Sequence, residues 1–133
     1  MTVTSGAAEP LPAALQWLTR CRQPHSVSLS QSQRGCAYVL EDVTAVRGSA
    51  AQASLWTADL RGGAPVPWPH AGTQVALPAW TPAGDALAWI DGAGNLSRLC
   101  IGTSPAATPR CVDLPVGRVE WLQWASDASA LLL

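Results

Sequence analysis

The residues of this chain that could do chemistry are two histidines (His25 and His70), Ser97, four cysteines (Cys21, Cys36, Cys100, Cys111) and a scatter of aspartates. Serine hydrolysis would need the serine exposed on a sharp G-x-S-x-G turn, with a histidine base and an orienting carboxylate brought to it by the fold. Ser97 stands in "GNLSRLCIG", with Asn95 where that turn needs its first glycine. Each histidine follows a proline (Pro24, Pro69), which places both in solvated or capping loops. Asp59, Asp85, Asp91, Asp113 and Asp127 fall in or beside turn-forming residues, where Asp characteristically bonds its own backbone. Glu41 and Asp42 read as a solvated strand end. The cysteines form no C-x-x-C pair, so a zinc knuckle or thioredoxin-type site is not expected. Cys100 and Cys111 could face each other across a hairpin. The expectation is free, buried thiols, as in a reducing cytosol, with a disulfide as the alternative. No phosphate loop or metal-ligand cluster stands out. The chain is therefore expected to hold no catalytic, cofactor-binding or metal residues and to need no cofactor.

What positions these residues is an apolar, charge-poor chain. Of 133 residues 48% are hydrophobic and 13% charged, against roughly 25% charged in ordinary soluble domains. Such a chain must be mostly buried or lean on a partner. The net charge of -1 gives no basic stripe for nucleic acid or anionic lipid. Phe is absent and Trp occurs seven times, so Trp must supply most of the aromatic core. No apolar run approaches the roughly 18 residues of a membrane helix. The N-terminus shows neither a basic n-region nor a long apolar h-region, so the expected location is cytoplasmic.

A repeat organises the chain. "WTPAGDALAW" (Trp80 to Trp89) aligns without gaps on "WASDASALLL" (Trp124 to Leu133) and, more weakly, on "LSQSQRGCAY" (Leu29 to Tyr38). Leu29, Trp80 and Trp124 share one slot, Ser30, Thr81 and Ala125 the next. Cys36, Leu87 and Leu131 share another, and Tyr38, Trp89 and Leu133 close the unit. Each copy reads as an apolar strand end, a polar turn and a second short strand. In the best copy Thr81, Pro82 and Gly84 occupy positions i, i+1 and i+3 of a type I turn, and Gly84 can take the left-handed conformation. "ALAWI" is apolar on both faces, as in a strand packed between two sheets.

Further strands lie between the turns: "ASLWTADL", a short edge "VPW" after "RGGAP", and a hairpin "LSRLCI"/"RCVDLP" preceded by a turn at Asp91 to Asn95. Four strands at a period of about 40 to 50 residues mark a β-propeller blade. Trp56, Trp80, Trp89 and Trp124 are expected core residues. Leu11, Leu15, Leu18 and Cys21 recur at helical spacing, so an amphipathic helix is expected over residues 10–23, ended by Pro24. "RGSAAQ" (Arg47 to Gln52) reads as a loop.

The phrase W-[ST]-P-x-G-x-x-L-A-[aromatic] resembles the TolB-type propellers and the N-terminal propellers of the prolyl oligopeptidase family of serine peptidases. Its acylaminoacyl peptidase-like and dipeptidyl peptidase-like branches are the most similar. "SLWTADLRGGAPVPW" resembles the hairpin that follows the first blade motif of that family. The likeness runs over about residues 12–133. Ala83 stands where the family's turn carries Asp, and the third copy has Ser126 for Pro and Ala128 for Gly.

The resemblance implies an all-β fold: a partial β-propeller of about two and a half four-stranded blades, preceded by a short helix. Residues 1–9 are expected to be a disordered N-terminus. Blade one would span about residues 24–70, blade two about 71–116, and blade three would begin at 117–133. An unfinished third blade leaves an open apolar edge, so the chain is expected to be one piece of a longer polypeptide.

The function implied is the non-catalytic propeller of a serine peptidase, gating substrate access to an α/β-hydrolase domain outside this chain. The alternative is a TolB-like binding or scaffold propeller without enzymatic activity. The expected partners are further blades and a hydrolase domain, whether on the same chain or a separate one, and the peptide substrate of the whole enzyme. Neither nucleic acid nor membrane is expected. Homo-oligomerisation is left open.

Overall fold

The computed structural model describes residues 22–31, 34–42, 52–72, 74–93, 95–115 and 118–133. Ten strands, and no helix, make up the described residues. The expected helix over residues 10–23 lies outside them, apart from Arg22 and Gln23, which already belong to a strand. The "RGSAAQ" loop also lies outside, apart from Gln52.

The first sheet is an antiparallel meander of β1 (Arg22–Leu29), β2 (Gly35–Asp42), β3 (Ala53–Asp59) and β4 (Val66–Pro67) in the order β1-β2-β3-β4. The second repeats the plan with β5 (Gln74–Trp80), β6 (Leu87–Ala93), β7 (Leu96–Gly102) and β8 (Arg110–Leu114). A two-stranded sheet of β9 (Gln123–Trp124) and β10 (Leu131–Leu132) follows. Two four-stranded meanders and the opening pair of a third are blades of a β-propeller.

The repeat explains the register. Leu29 pairs with Cys36, Trp80 with Leu87 and Trp124 with Leu131, so the same two slots close the hairpin in each blade. The turns share one closing bond. The amide of Ser30, Thr81 or Ala125 donates to the carbonyl five residues on, at 2.9, 2.9 and 2.8 Å. In the best copy Gly84 N–H also donates to Thr81 O (2.8 Å), and Gly84 has φ 73°. Ala128 holds the same place in the third copy at φ 58° without glycine's freedom.

β2 and β3 direct Ala37, Val39 and Leu55 to one face, where they join Trp68, Val75, Leu87, Trp89 and Cys100 in a single core cluster between blades one and two. β6 is buried on both faces from Leu87 to Asp91, as expected of a strand sandwiched between neighbours. At the seam Trp68, just past β4, stands edge-on to Trp80 (centroids 6.3 Å apart) and to Trp89 (5.7 Å). Edge-to-face pairs add about 0.5–1.5 kcal/mol each beyond the area they bury. The indole N–H of Trp68 donates to Thr57 Oγ1 at 2.8 Å.

Four expectations need correction. Trp68 is the core tryptophan of blade one; of the four expected only Trp89 belongs to the buried cluster, Trp80 packs half-buried against it, Trp124 is half-buried outside it, and so is Trp56. Its indole N–H donates instead to Ser54 Oγ at 2.9 Å. The turn placed at Asp91 to Asn95 is shorter, because β6 continues through Ala93. His25 lies within β1, not in a loop, since β1 is an edge strand and tolerates Pro24. Finally, Cys100 and Cys111 are directly opposed on β7 and β8 and form a disulfide, Cα–Cα 4.1 Å, in place of two free thiols.

Candidate functional site

Strand order puts β1 and β5 at the edges of their sheets, and β1 packs beside β5, β5 beside β9. These three strands form one continuous wall. Trp124 ties the third blade into it by donating its indole N–H to Ala79 O at 3.0 Å. Between the strands lies a cleft of about 410 Å³, bordered by Val27, Ser28, Leu29, Pro78, Ala79 and Trp124 among others. None of its twelve lining residues is charged. The backbone of its edge strands β1 and β5 can offer hydrogen bonds to an extended chain.

Both inner strands carry a bulge in the same place. Register shifts between His25 and Ser28 in β1 and between Ala76 and Ala79 in β5. At its centre Ser26 has φ 53° and Leu77 φ 54°, each three residues before the slot held by Leu29 and Trp80. Ser26 Oγ lies 2.9 Å from His25 Nδ1, and His25 Nε2 lies 3.5 Å from Glu41 Oε2. Ser26, His25 and Glu41 thus have the order of a hydroxyl, base and acid relay, which sequence reasoning missed because it placed His25 in a loop. Leu77 decides what this means: the same backbone without any of the chemistry shows that the blade, not catalysis, sets the conformation of Ser26. His25 and Glu41 are also 40% and 44% exposed, so water screens their pair.

The other candidates are dispersed. His70 lies in the linker between blades, as expected, with Nδ1 2.9 Å from Gly72 O. Ser97 lies within β7 and not on a strand-to-helix turn. Asp59 and Asp127 do bond nearby backbone, accepting from Arg61 N–H (2.8 Å) and Ser129 N–H (3.0 Å). Hydrogen bonds from the Arg61 side chain, then from its backbone, hold the Asp59 carboxyl down at about 2. The Ser129 hydroxyl, then its amide, lowers that of Asp127. Asp85 accepts from the Thr81 hydroxyl at 2.6 Å. Asp113 pairs with Arg98 at 3.1 Å.

Asp91 departs from the pattern. It is 3% exposed and accepts from Ala71 N–H (3.0 Å) and Gly72 N–H (2.8 Å), pinning the linker to β6. The signal was there in "AWIDG": a carboxylate inside an apolar strand must find donors. Among the described residues no group of three or more His, Cys, Asp or Glu could hold a metal ion. Among the described residues no helix is long and apolar enough to cross a membrane.

No protein-family profile matches the chain. It is 30% identical over 99 residues to an uncharacterized peptidase, YuxL, of Bacillus subtilis, an alignment covering 73% of this chain and 15% of the relative. Its fold superposes on an acylaminoacyl peptidase in complex with Z-Gly-Gly-Phe-chloromethyl ketone with TM-score 0.70, 12% identity, 86% of this chain and 18% of that one. The acylaminoacyl peptidase of Pyrococcus horikoshii gives 0.68 at 15% identity, covering 86% and 17%. The β-propeller domain of the Trilobed protease of Pyrococcus furiosus gives 0.65 at 13%, covering 83% and 32%. The chain thus spans about 15% of the curated relative and between 17% and 32% of the solved structures it matches.

Proposed function

We propose that this segment of a β-propeller is of the prolyl oligopeptidase type and serves as the non-catalytic propeller portion of a serine peptidase. In this reading the inner strands β1, β5 and β9 form part of a channel wall that admits short or unfolded peptides to an α/β-hydrolase domain outside the chain. The observation that carries it is the cleft between β1, β5 and β9, whose twelve lining residues carry no charge, so that a peptide there would be screened by width more than by charge. Further blades and the hydrolase domain are its partners, and its location is the cytoplasm.

The test is made on the whole protein. Hydrolysis of an aminoacyl chromogenic ester, abolished by a serine-directed fluorophosphonate that labels a residue outside residues 1–133, is the expected result. Replacing Ala79 with Trp at the wall should then slow cleavage of long peptides several-fold and leave a dipeptide analogue unaffected. A whole protein without fluorophosphonate-sensitive activity would instead be a binding or scaffold propeller. A peptidase equally affected on long and short substrates would have no gate at this wall.

A further inference from the structure

The Cys100–Cys111 bond joins the two outer strands of blade two and lies away from the channel wall. β8 makes its main packing contacts with β7 alone. It is held by their ladder, by this bond and by the Arg98–Asp113 pair, two residues along the same face. The bond is asymmetric in exposure. Cys100 is 1% exposed and belongs to the core cluster, whereas Cys111 is half-buried at its margin. A cavity of about 220 Å³ reaches both residues from the surface, between the linker residues Pro69 and His70 and Pro109 at the head of β8. The arrangement thus combines three features: a cross-link at the margin of a blade, an approach to it from solvent, and a strand that little else restrains.

We propose that Cys100–Cys111 is a redox clasp on blade two: a dithiol reductant entering this cavity opens it and frees β8, and reoxidation seats the strand again. The reductant's thiolate attacks Cys111 Sγ, the sulfur of the more exposed residue. The S–S bond breaks with its electron pair on Cys100 Sγ, which takes a proton from water. The reductant's second thiol then attacks the mixed disulfide, and Cys111 leaves as a thiolate and is protonated. The protein disulfide gains two electrons and two protons, and the dithiol leaves as a disulfide. With the clasp open, β8 retains only its ladder and one ion pair that is largely exposed to water. The edge of β7 beneath it then becomes accessible.

The test uses the purified whole protein carrying Cys21→Ser and Cys36→Ser, so that neither of the other two cysteines of residues 1–133 can exchange with the pair. It is treated with dithiothreitol without denaturant. Alkylation and mass spectrometry read the bond, and hydrogen exchange reads the strands. The expected result is reduction of the folded protein with at least a tenfold loss of protection at residues 110–114, β6 keeping its protection, and recovery on reoxidation. Cys111→Ser should show the open pattern with or without dithiothreitol. A bond that resists dithiothreitol until the chain unfolds, or a reduced protein whose β8 keeps its protection, would overturn the proposal.

Discussion

A Cβ placed on Gly102 would stand 2.7 Å from Cζ3 of Trp68. The last residue of β7 in blade two is thus hollowed to admit a ring from blade one, and Trp89 closes the other side, its nearest ring carbon 3.2 Å from the same point. Trp68 is 4% exposed and held by its bond to Thr57, so it has little room to retreat. Gly102→Ala should therefore cost about 1–3 kcal/mol as overpacking. Trp68→Ala, which empties the same space, should cost about 3–5 kcal/mol. Urea unfolding followed by far-UV circular dichroism would measure both. A Gly102→Ala protein as stable as the parent would mean that the seam is looser than the contacts imply.

Asp91 should matter through its two accepted amides. Asp91→Asn turns one carboxylate oxygen into a donor facing Ala71 N–H or Gly72 N–H. One amide is left unpaired, at about 1.5–3 kcal/mol for a buried bond to a charged group. Hydrogen exchange at Ala71 and Gly72 should accelerate well before that of β6. Gly72 cannot be enlarged either, since a Cβ there would overlap both the Asp91 carboxylate and Gly92 O. If Asp91→Asn left exchange in the linker unchanged, the linker would be held by something other than this carboxylate.

The strand pairs were legible in the sequence because turn chemistry and hydrophobic slots repeat together. The repeat aligned Leu29, Trp80 and Trp124 in one slot and Cys36, Leu87 and Leu131 in another, and the register pairs the two slots in each blade. Trp68 was not, because prolines on both sides suggest an edge, and an edge residue that folds back into the neighbouring blade leaves no local signature. His25 was misplaced for a related reason: Pro24 argues against a ladder, but the outer side of an edge strand has no ladder to break. The state of the cysteines depends on a distance across a hairpin, and spacing in sequence does not set it. The relay of Ser26, His25 and Glu41 needed both the register and the bulge, neither of which is written in residue types.

The Asp59–Arg61 pair gives a pH dependence of known sign. Its folded-state value of about 2 lies below the ordinary carboxylate range, so the stabilisation is present above about pH 4 and lost as pH falls through about 2. Both side chains are exposed, and salt should weaken the effect. In a carboxyl NMR titration Asp59 should have its midpoint near 2, and Arg61→Gln should move it back toward the ordinary value. An unmoved midpoint would assign the shift to the Arg61 backbone amide or to another group, and not to the guanidinium.

The strained backbone at Ser26 separates a fold requirement from a catalytic one. A residue other than glycine pays about 1–2 kcal/mol in the left-handed region, and glycine loses about 0.5–1 kcal/mol of that advantage to the entropy of its unfolded chain. Ser26→Gly should therefore range from neutral to about 1.5 kcal/mol more stable, and Leu77→Gly should gain the same backbone relief less what its half-buried side chain contributes, if the bulge belongs to the blade. Ser26→Ala should leave any peptidase activity of the whole protein within twofold, and a fluorophosphonate should not label Ser26. Labelling at Ser26, lost in His25→Gln, would show instead that the relay of Ser26, His25 and Glu41 activates the hydroxyl and that the likeness to Leu77 had hidden a working site.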